Sequence, residues 1–148
     1  WFFDHKFVEE NHWNQSVLLD LKPEFKHTET QIGQAFAAVV LHHDAIRLRF
    51  NHDDNGAVHQ YHQDDTDGYA HFAMHDIDLT RCDEARLAEE VTSEANGIQS
   101  SLNLNKGPLL SVAIFRLPDN QRKMLLVVHH LVVDGVSWRI LLMSLIPI

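Results

Sequence analysis

Apolar residues recur along this chain at two different spacings, and the switches between them mark out its elements. "WNQSVLLDL" (13–21) is rich in β-formers, and the polar, turn-like "KPEFKHTET" follows it. From Ile32 the interval lengthens: Ile32, Phe36, Val39, Val40 and His43 recur at three and four residues, the single buried stripe of an amphipathic helix, with Thr28 or Thr30 as its cap. "AIRLRF" (45–50) alternates apolar residues with arginine, and "NHDDNG" supplies turn chemistry before "AVHQYH", which predicts a β-hairpin. Residues 63–80 are acidic and irregular, and their run "YAHFAMHDIDL" reads as either a strand or an edge segment. Asp83 starts a second helix, in which Leu87, Val91, Ala95, Ile98 and Leu102 repeat helically before "NKGP" ends it. "LLSVAIFRL" and "KMLLVVHHL", joined by "PDNQ", predict a second hairpin. Its strands are largely apolar on both alternating sets, so they belong at the centre of a sheet buried on two sides. "GVSWRILLMSLI" opens a last helix whose Val136, Ile140, Leu141 and Met143 are expected to be buried. Helices and antiparallel hairpins in this order make the class α+β, or α/β with a mixed sheet. No repeat or low-complexity tract interrupts it.

Composition narrows this to one core-forming unit. The chain has 148 residues, 45% of them apolar, enough for one domain or one lobe of a larger one. Its formal charge of −9 repels phosphate backbones and anionic headgroups, which argues against nucleic acid or a membrane surface as partner. Cys82 is the one cysteine, and no segment combines a basic start, an apolar run and a cleavage site, so a reducing cytoplasm fits the chain. No apolar stretch reaches the roughly 18 residues of a membrane span. It opens on "WFFDHKF" and closes on "LLMSLIPI", and from these ends we expect a piece of something longer, with any site shared between two lobes only half present.

Chemistry concentrates in "VVHHLVVDGVSW" (127–138), where a buried strand ends and a helix begins. A rigid sheet fixes a side chain at such a turn while the loop leaves it reachable. Successive strand side chains point to opposite faces, so His129 and His130 do not both enter one cleft. His130, nearer the turn, is the reactive choice, because an ordinary imidazole exchanges protons near neutrality. Asp134 either accepts a bond from an imidazole or pairs with a buried arginine, Arg47 or Arg49, since a buried charge is costly without a partner. Gly135 permits a backbone conformation or an approach that a side chain would block. An adjacent histidine pair is more often core or surface than catalytic, and twelve histidines make chance pairs common. A metal site is disfavoured, because the two rings diverge and no cysteine pair or HExxH pattern completes a shell. Neither a glycine-rich phosphate loop nor a GxSxG elbow occurs, so Ser137 lacks the setting of a nucleophile, and Trp138 reads most simply as a core anchor.

Beyond spacing, "HHLVVDG" (129–135) matches the HHxxxDG motif of the condensation-domain superfamily of nonribosomal peptide synthetases, whose members share a fold like that of chloramphenicol acetyltransferase. "NHWNQSVLL" (11–19) resembles the family's first-strand region, and "GPLLSVAIFRL" the strand before the motif. "HHDAIRLRF" (42–50) is similar to its RHxxLRxxF segment, with His42 where arginine is usual. The resemblance covers nearly the whole chain. Val136, Ser137 and Trp138 complete HHxxxDxVSW, the form of the epimerization branch, and "WFF" resembles the tail of that branch's PIQxWF motif.

The resemblance implies a chloramphenicol acetyltransferase-like lobe, with residues 1–148 as the N-terminal lobe of a domain incomplete at both ends. The substrate would be an aminoacyl or peptidyl thioester on the 4′-phosphopantetheine arm of a peptidyl carrier protein, inverted at its α-carbon. His130 would be one acid/base group or would stabilise the enolate oxygen, His129 would pack or orient it, and Arg47 with Asp134 would form a buried ion pair beside Gly135. Val136, Ser137 and Trp138 would line the substrate tunnel. The second acid/base group, a glutamate, would lie on the missing C-terminal lobe, so this chain alone is expected to be inactive. "MSLIPI" departs from the acidic residues usual after "SWRILL". Peptide-bond formation and a non-catalytic carrier-docking lobe are the rival readings.

Overall fold

The structure is a computed structural model and describes residues 2–5, 7–64 and 66–145. Trp1 of "WFF" and residues 146–148 of the closing "LIPI" lie outside the described residues. The β-rich stretch after Trp13 is strand β1, Asn14–Leu21, in which Gln15, Val17, Leu19 and Leu21 are half-buried while Ser16, Leu18 and Asp20 are exposed. Thr28 caps helix α1, Glu29–His42, through a capping box: its side chain accepts from the Gln31 N–H, and the Gln31 side chain takes the Thr28 N–H. Ile32, Phe36, Val39 and Val40 face the core as their spacing predicts. His43 is half-buried just beyond the helix.

The segment after α1 departs from expectation in its first half. Residues Asp44–Arg47 make a 3-10 turn, and only Leu48–His52 extends, as β2, to pair with β3, Val58–His62. Arg47 therefore sits on a turn and not on a strand. Another 3-10 turn, Gly68–His71, lies on α1 so closely that a Cβ at Gly68 would stand 2.2 Å from the Ala37 carbonyl oxygen. The uncertain run around Phe72 resolves into an edge strand, β4, Ala73–Asp78.

Helix α2, Glu84–Gln99, then crosses from β4 to β5, Leu110–Arg116, which pairs parallel to β4. β5 and β6, Arg122–His129, form the expected antiparallel hairpin and occupy the centre of a four-stranded mixed sheet in the order β1-β6-β5-β4. Both faces of this pair are covered. Leu110, Val112, Ile114, Leu126 and Val128 pack with α1 and with α3, Gly135–Leu145. Ala113, Phe115, Leu125 and Val127 pack with Leu87, Val91, Ala95 and Ile98 of α2. Each such aliphatic or aromatic side chain contributes about 1.5–3 kcal/mol when fully enclosed, which makes the hairpin the mechanical base of the turn that follows.

In α3 the buried face is not the expected one. Leu141 is buried, but Val136, Ile140 and Met143 are 69%, 51% and 55% exposed. Trp138, Leu142 and Leu145 pack inward with Leu141. The helix is apolar almost all round, so its own pattern cannot select a face; the Trp138 ring, anchored against β1, does. Among the described residues no helix is long and apolar enough to cross a membrane.

Candidate active site

At the end of β6 the two histidines part as strand alternation requires. In the ladder with β1, Val128 lies opposite Gln15 and His129 opposite Asn14. Directly opposed residues share a face, so Gln15 points toward α3, while Asn14 points the other way and donates its side-chain amide to the Gln99 carbonyl at the end of α2, at 2.6 Å. His129 is fully buried, with Nε2 2.8 Å from the Glu10 carbonyl and Nδ1 accepting the Leu131 N–H at 3.2 Å. A carbonyl only accepts, so Nε2 carries the hydrogen. Burial, the largest influence, holds the His129 ring below the usual imidazole range, so it stays neutral. Its two bonds make it a brace for the turn, and Phe2 meets its ring edge-on at 5.8 Å.

His130 leaves the ladder, its N–H still bonded to the Trp13 carbonyl at 2.9 Å, and its half-buried ring reaches the α3 side. Nδ1 lies 3.0 Å from the Val133 carbonyl and Nε2 3.0 Å from Gln15 Nε2. The other atom of the Gln15 amide, Oε1, accepts the Trp138 indole N–H at 2.6 Å. An unbroken row of hydrogen bonds therefore runs from α3 through β1 to the imidazole and back to the turn. His130 borders a cleft of about 350 Å³ with Phe2, Trp13 and Leu131, and the Trp13 ring stands edge-on to it at 5.5 Å. The ring is thus reachable from a largely apolar recess, where a fixed imidazole can exchange a proton with a bound group.

Other expected members of the site take different places. Arg47 pairs with Asp44, not with Asp134. Asp134 is exposed and caps α3, its Oδ1 accepting from the Ser137 backbone N–H and from the Ser137 hydroxyl, each at 2.7 Å. Those bonds hold its carboxyl below the usual range. The expected Arg47–Asp134 ion pair is therefore absent, because each charge is engaged within three residues of itself, Arg47 by Asp44 and Asp134 by Ser137. The buried arginine is Arg49, 1% exposed: one terminal nitrogen donates to the Leu48 carbonyl at 2.7 Å, Nε has no partner, and no carboxylate among the described residues pairs with it. Gly135 needs neither reason offered for it: its backbone is not left-handed, and a Cβ there would meet open space. Close approach instead belongs to Gly107, with φ +75°, where a Cβ would stand 2.4 Å from Arg49 Cζ.

Of the expected tunnel residues, Val136 is exposed and Ser137 borders a separate cavity of about 120 Å³ with His43 and Val133. Trp138 does not line the His130 cleft among the described residues and reaches the site through Gln15. Gln15, Trp13, Phe2 and Val133 were not singled out from the sequence. Gln15 did carry a signal, since it is the polar member of the inward set Gln15, Val17, Leu19 and Leu21. Among the described residues no three His, Cys, Asp or Glu side chains gather as a metal site.

The family model described as "Condensation domain" matches residues 1–148. Tyrocidine synthase 2 of Brevibacillus parabrevis is 42% identical over 141 residues, which cover 95% of this chain and 4% of that protein. Surfactin synthase subunit 2 of Bacillus subtilis (strain 168) is 39% identical over 142 residues, covering 96% of this chain and 4% of that one. The chain thus spans a small fraction of the curated relatives it matches. Among solved structures, the epimerization domain from the third module of tyrocidine synthetase B superposes with a TM-score of 0.85 at 36% identity, over 98% of this chain and 31% of that chain. The first condensation domain of the calcium-dependent antibiotic synthetase, in complex with a substrate analogue, gives 0.74 at 21% identity, over 98% and 34%, a likeness of fold alone. With its whole length matched by the family model and its sheet, turn and helices superposing on solved members, the chain belongs to the condensation-domain family of the peptide synthetases.

Proposed function

We propose that residues 1–148 are the N-terminal lobe of an epimerization domain, which inverts the α-carbon of an aminoacyl or peptidyl thioester carried on the 4′-phosphopantetheine arm of a peptidyl carrier protein. The observation that carries this reading is the placement of His130, clamped at Nδ1 and bordering an open apolar cleft, in a chain 36% identical to a solved epimerization domain over 98% of its length. The recess beside Phe2, Trp13 and Leu131 suits the uncharged thioester end of a pantetheine arm. A thioester carbonyl acidifies the adjacent α C–H, and an imidazole lone pair aimed at that hydrogen removes it, while the electron pair of the broken bond passes to the carbonyl oxygen as an enolate. The proton returned on the opposite face then comes from an acid outside this chain, on the C-terminal lobe. His129 braces the turn, and Asp134 with Ser137 starts the helix that brings Trp138 to the site.

The test uses the full-length parent with an L-aminoacyl carrier in deuterated water. Epimerization gives washout of the α-proton and D-product, and His130→Ala abolishes both. Transfer of the acyl group to a second carrier, with no washout, would establish peptide-bond formation instead.

A further inference from the structure

We propose that Gln15 is a positioning residue which, held by Trp138, keeps the Nε2 lone pair of His130 unprotonated and so makes this ring a proton acceptor and not a donor to the enolate oxygen. The role of the ring as proton acceptor rests on the function proposed above; its tautomer does not. An indole N–H only donates, so the Gln15 atom 2.6 Å from Trp138 Nε1 is the amide oxygen. The amide NH2 therefore faces His130 at 3.0 Å, and an NH2 group only donates, so His130 Nε2 is the acceptor. From the other side of the ring, the Val133 carbonyl 3.0 Å from Nδ1 requires the hydrogen there. Two independent partners thus dictate one tautomer. It is opposite to that of His129, whose hydrogen sits on Nε2.

The arrangement is also a hinge. When Nε2 accepts the α-proton, the bond to Gln15 is replaced by two opposed N–H groups, so the amide must swing away about its bond to Trp138. Before that moment it occupies the lone pair with a weak neutral donor that a substrate displaces. An Nε2–H ring, which enolate stabilisation requires, would face the Gln15 NH2 donor to donor. The titratable groups on the surrounding elements are Asp4 and His5 beside Phe2, Glu10 and His12 before Trp13, His129, Asp134, and Arg139 beside Trp138. A substitution at Gln15 leaves all of them in place.

Nitrogen-15 NMR of histidine-labelled full chain at pH 7.5 reads the tautomer directly. The expected result is a His130 ring bearing hydrogen on Nδ1 alone; hydrogen on Nε2 overturns the proposal without any variant. Gln15→Glu keeps an acceptor for Trp138 but turns the donor at His130 into a carboxylate, so the ring becomes doubly protonated at pH 7. A ring unchanged in a folded Gln15→Glu chain also overturns it, and if that variant does not fold the wild-type tautomer decides. In the parent, Gln15→Glu should slow α-proton washout at pH 7 by about tenfold with KM unchanged, and raising the pH should restore it. Absence of washout in the unmodified parent would sink the proposed function while leaving the tautomer standing.

Discussion

At the scale of single residues, the site depends on where each polar atom finds its complement. His129 and His130 are neighbours in the chain, yet one is a closed brace and the other borders a cleft, because one strand step turns a side chain to the other face. Arg49 is the opposite case, a guanidinium enclosed against Gly107 with Nε unpaired. Burial holds its pKa below the ordinary arginine range, the direction of an uncompensated charge. Replacing it with an unbranched apolar side chain removes that desolvation cost while filling the same space. Arg49→Met should leave the urea midpoint of the chain unchanged or raise it, whereas Arg49→Ala, which leaves a void, should lower it. A marked loss of stability in Arg49→Met would show that the guanidinium's bonds to the backbone carbonyls outweigh its burial.

At the scale of elements, caps and ladders decide where helices begin and which way they face. α1 starts where Thr28 and Gln31 satisfy each other's backbone N–H groups. Thr28→Ala should therefore cost about 1 kcal/mol in chemical denaturation, and Thr28→Ser should recover most of it. A loss below the error of the measurement would mean that packing of Ile32 and Phe36 alone holds the helix. α3 is capped from one side only, by the Asp134 carboxylate, which accepts both the Ser137 N–H and its hydroxyl, so the aspartate sets the helix start and leaves the imidazole to Gln15 and Val133. The helix then turns on the Trp138–Gln15 bond, which is why its inward set is Trp138, Leu141, Leu142 and Leu145.

At the scale of the whole molecule, one buried and one half-buried imidazole couple the fold to pH. Burial lowers the His129 value, and burial followed by the charge of His42 lowers that of His43, whose Nε2 lies 3.1 Å from the Ser144 hydroxyl of α3. The unfolded chain, with ordinary imidazoles near 6.5, then binds more protons than the folded one once the pH drops below that value. Stability from both groups is complete above about pH 6.5 and is lost as the pH falls through their folded-state values. The urea midpoint should accordingly be lower at pH 5.5 than at pH 7.5, and His129→Gln should narrow the gap; equal midpoints at the two pH values would refute this. How much was legible beforehand follows the same division between local and distant causes. The order of strands and helices, the central hairpin, the α1 stripe and the divergence of His129 and His130 follow from apolar spacing and strand alternation, which are properties of neighbouring residues. Their sequence alone determined these. Only the tertiary structure decided that Asp134 serves a helix and not Arg47, which face of α3 turns inward, and that Gln15 lies between His130 and Trp138. Gln15 stands 115 residues from one and 123 from the other, and a bond across such a span exists only once the β1–β6 register has brought the ends together.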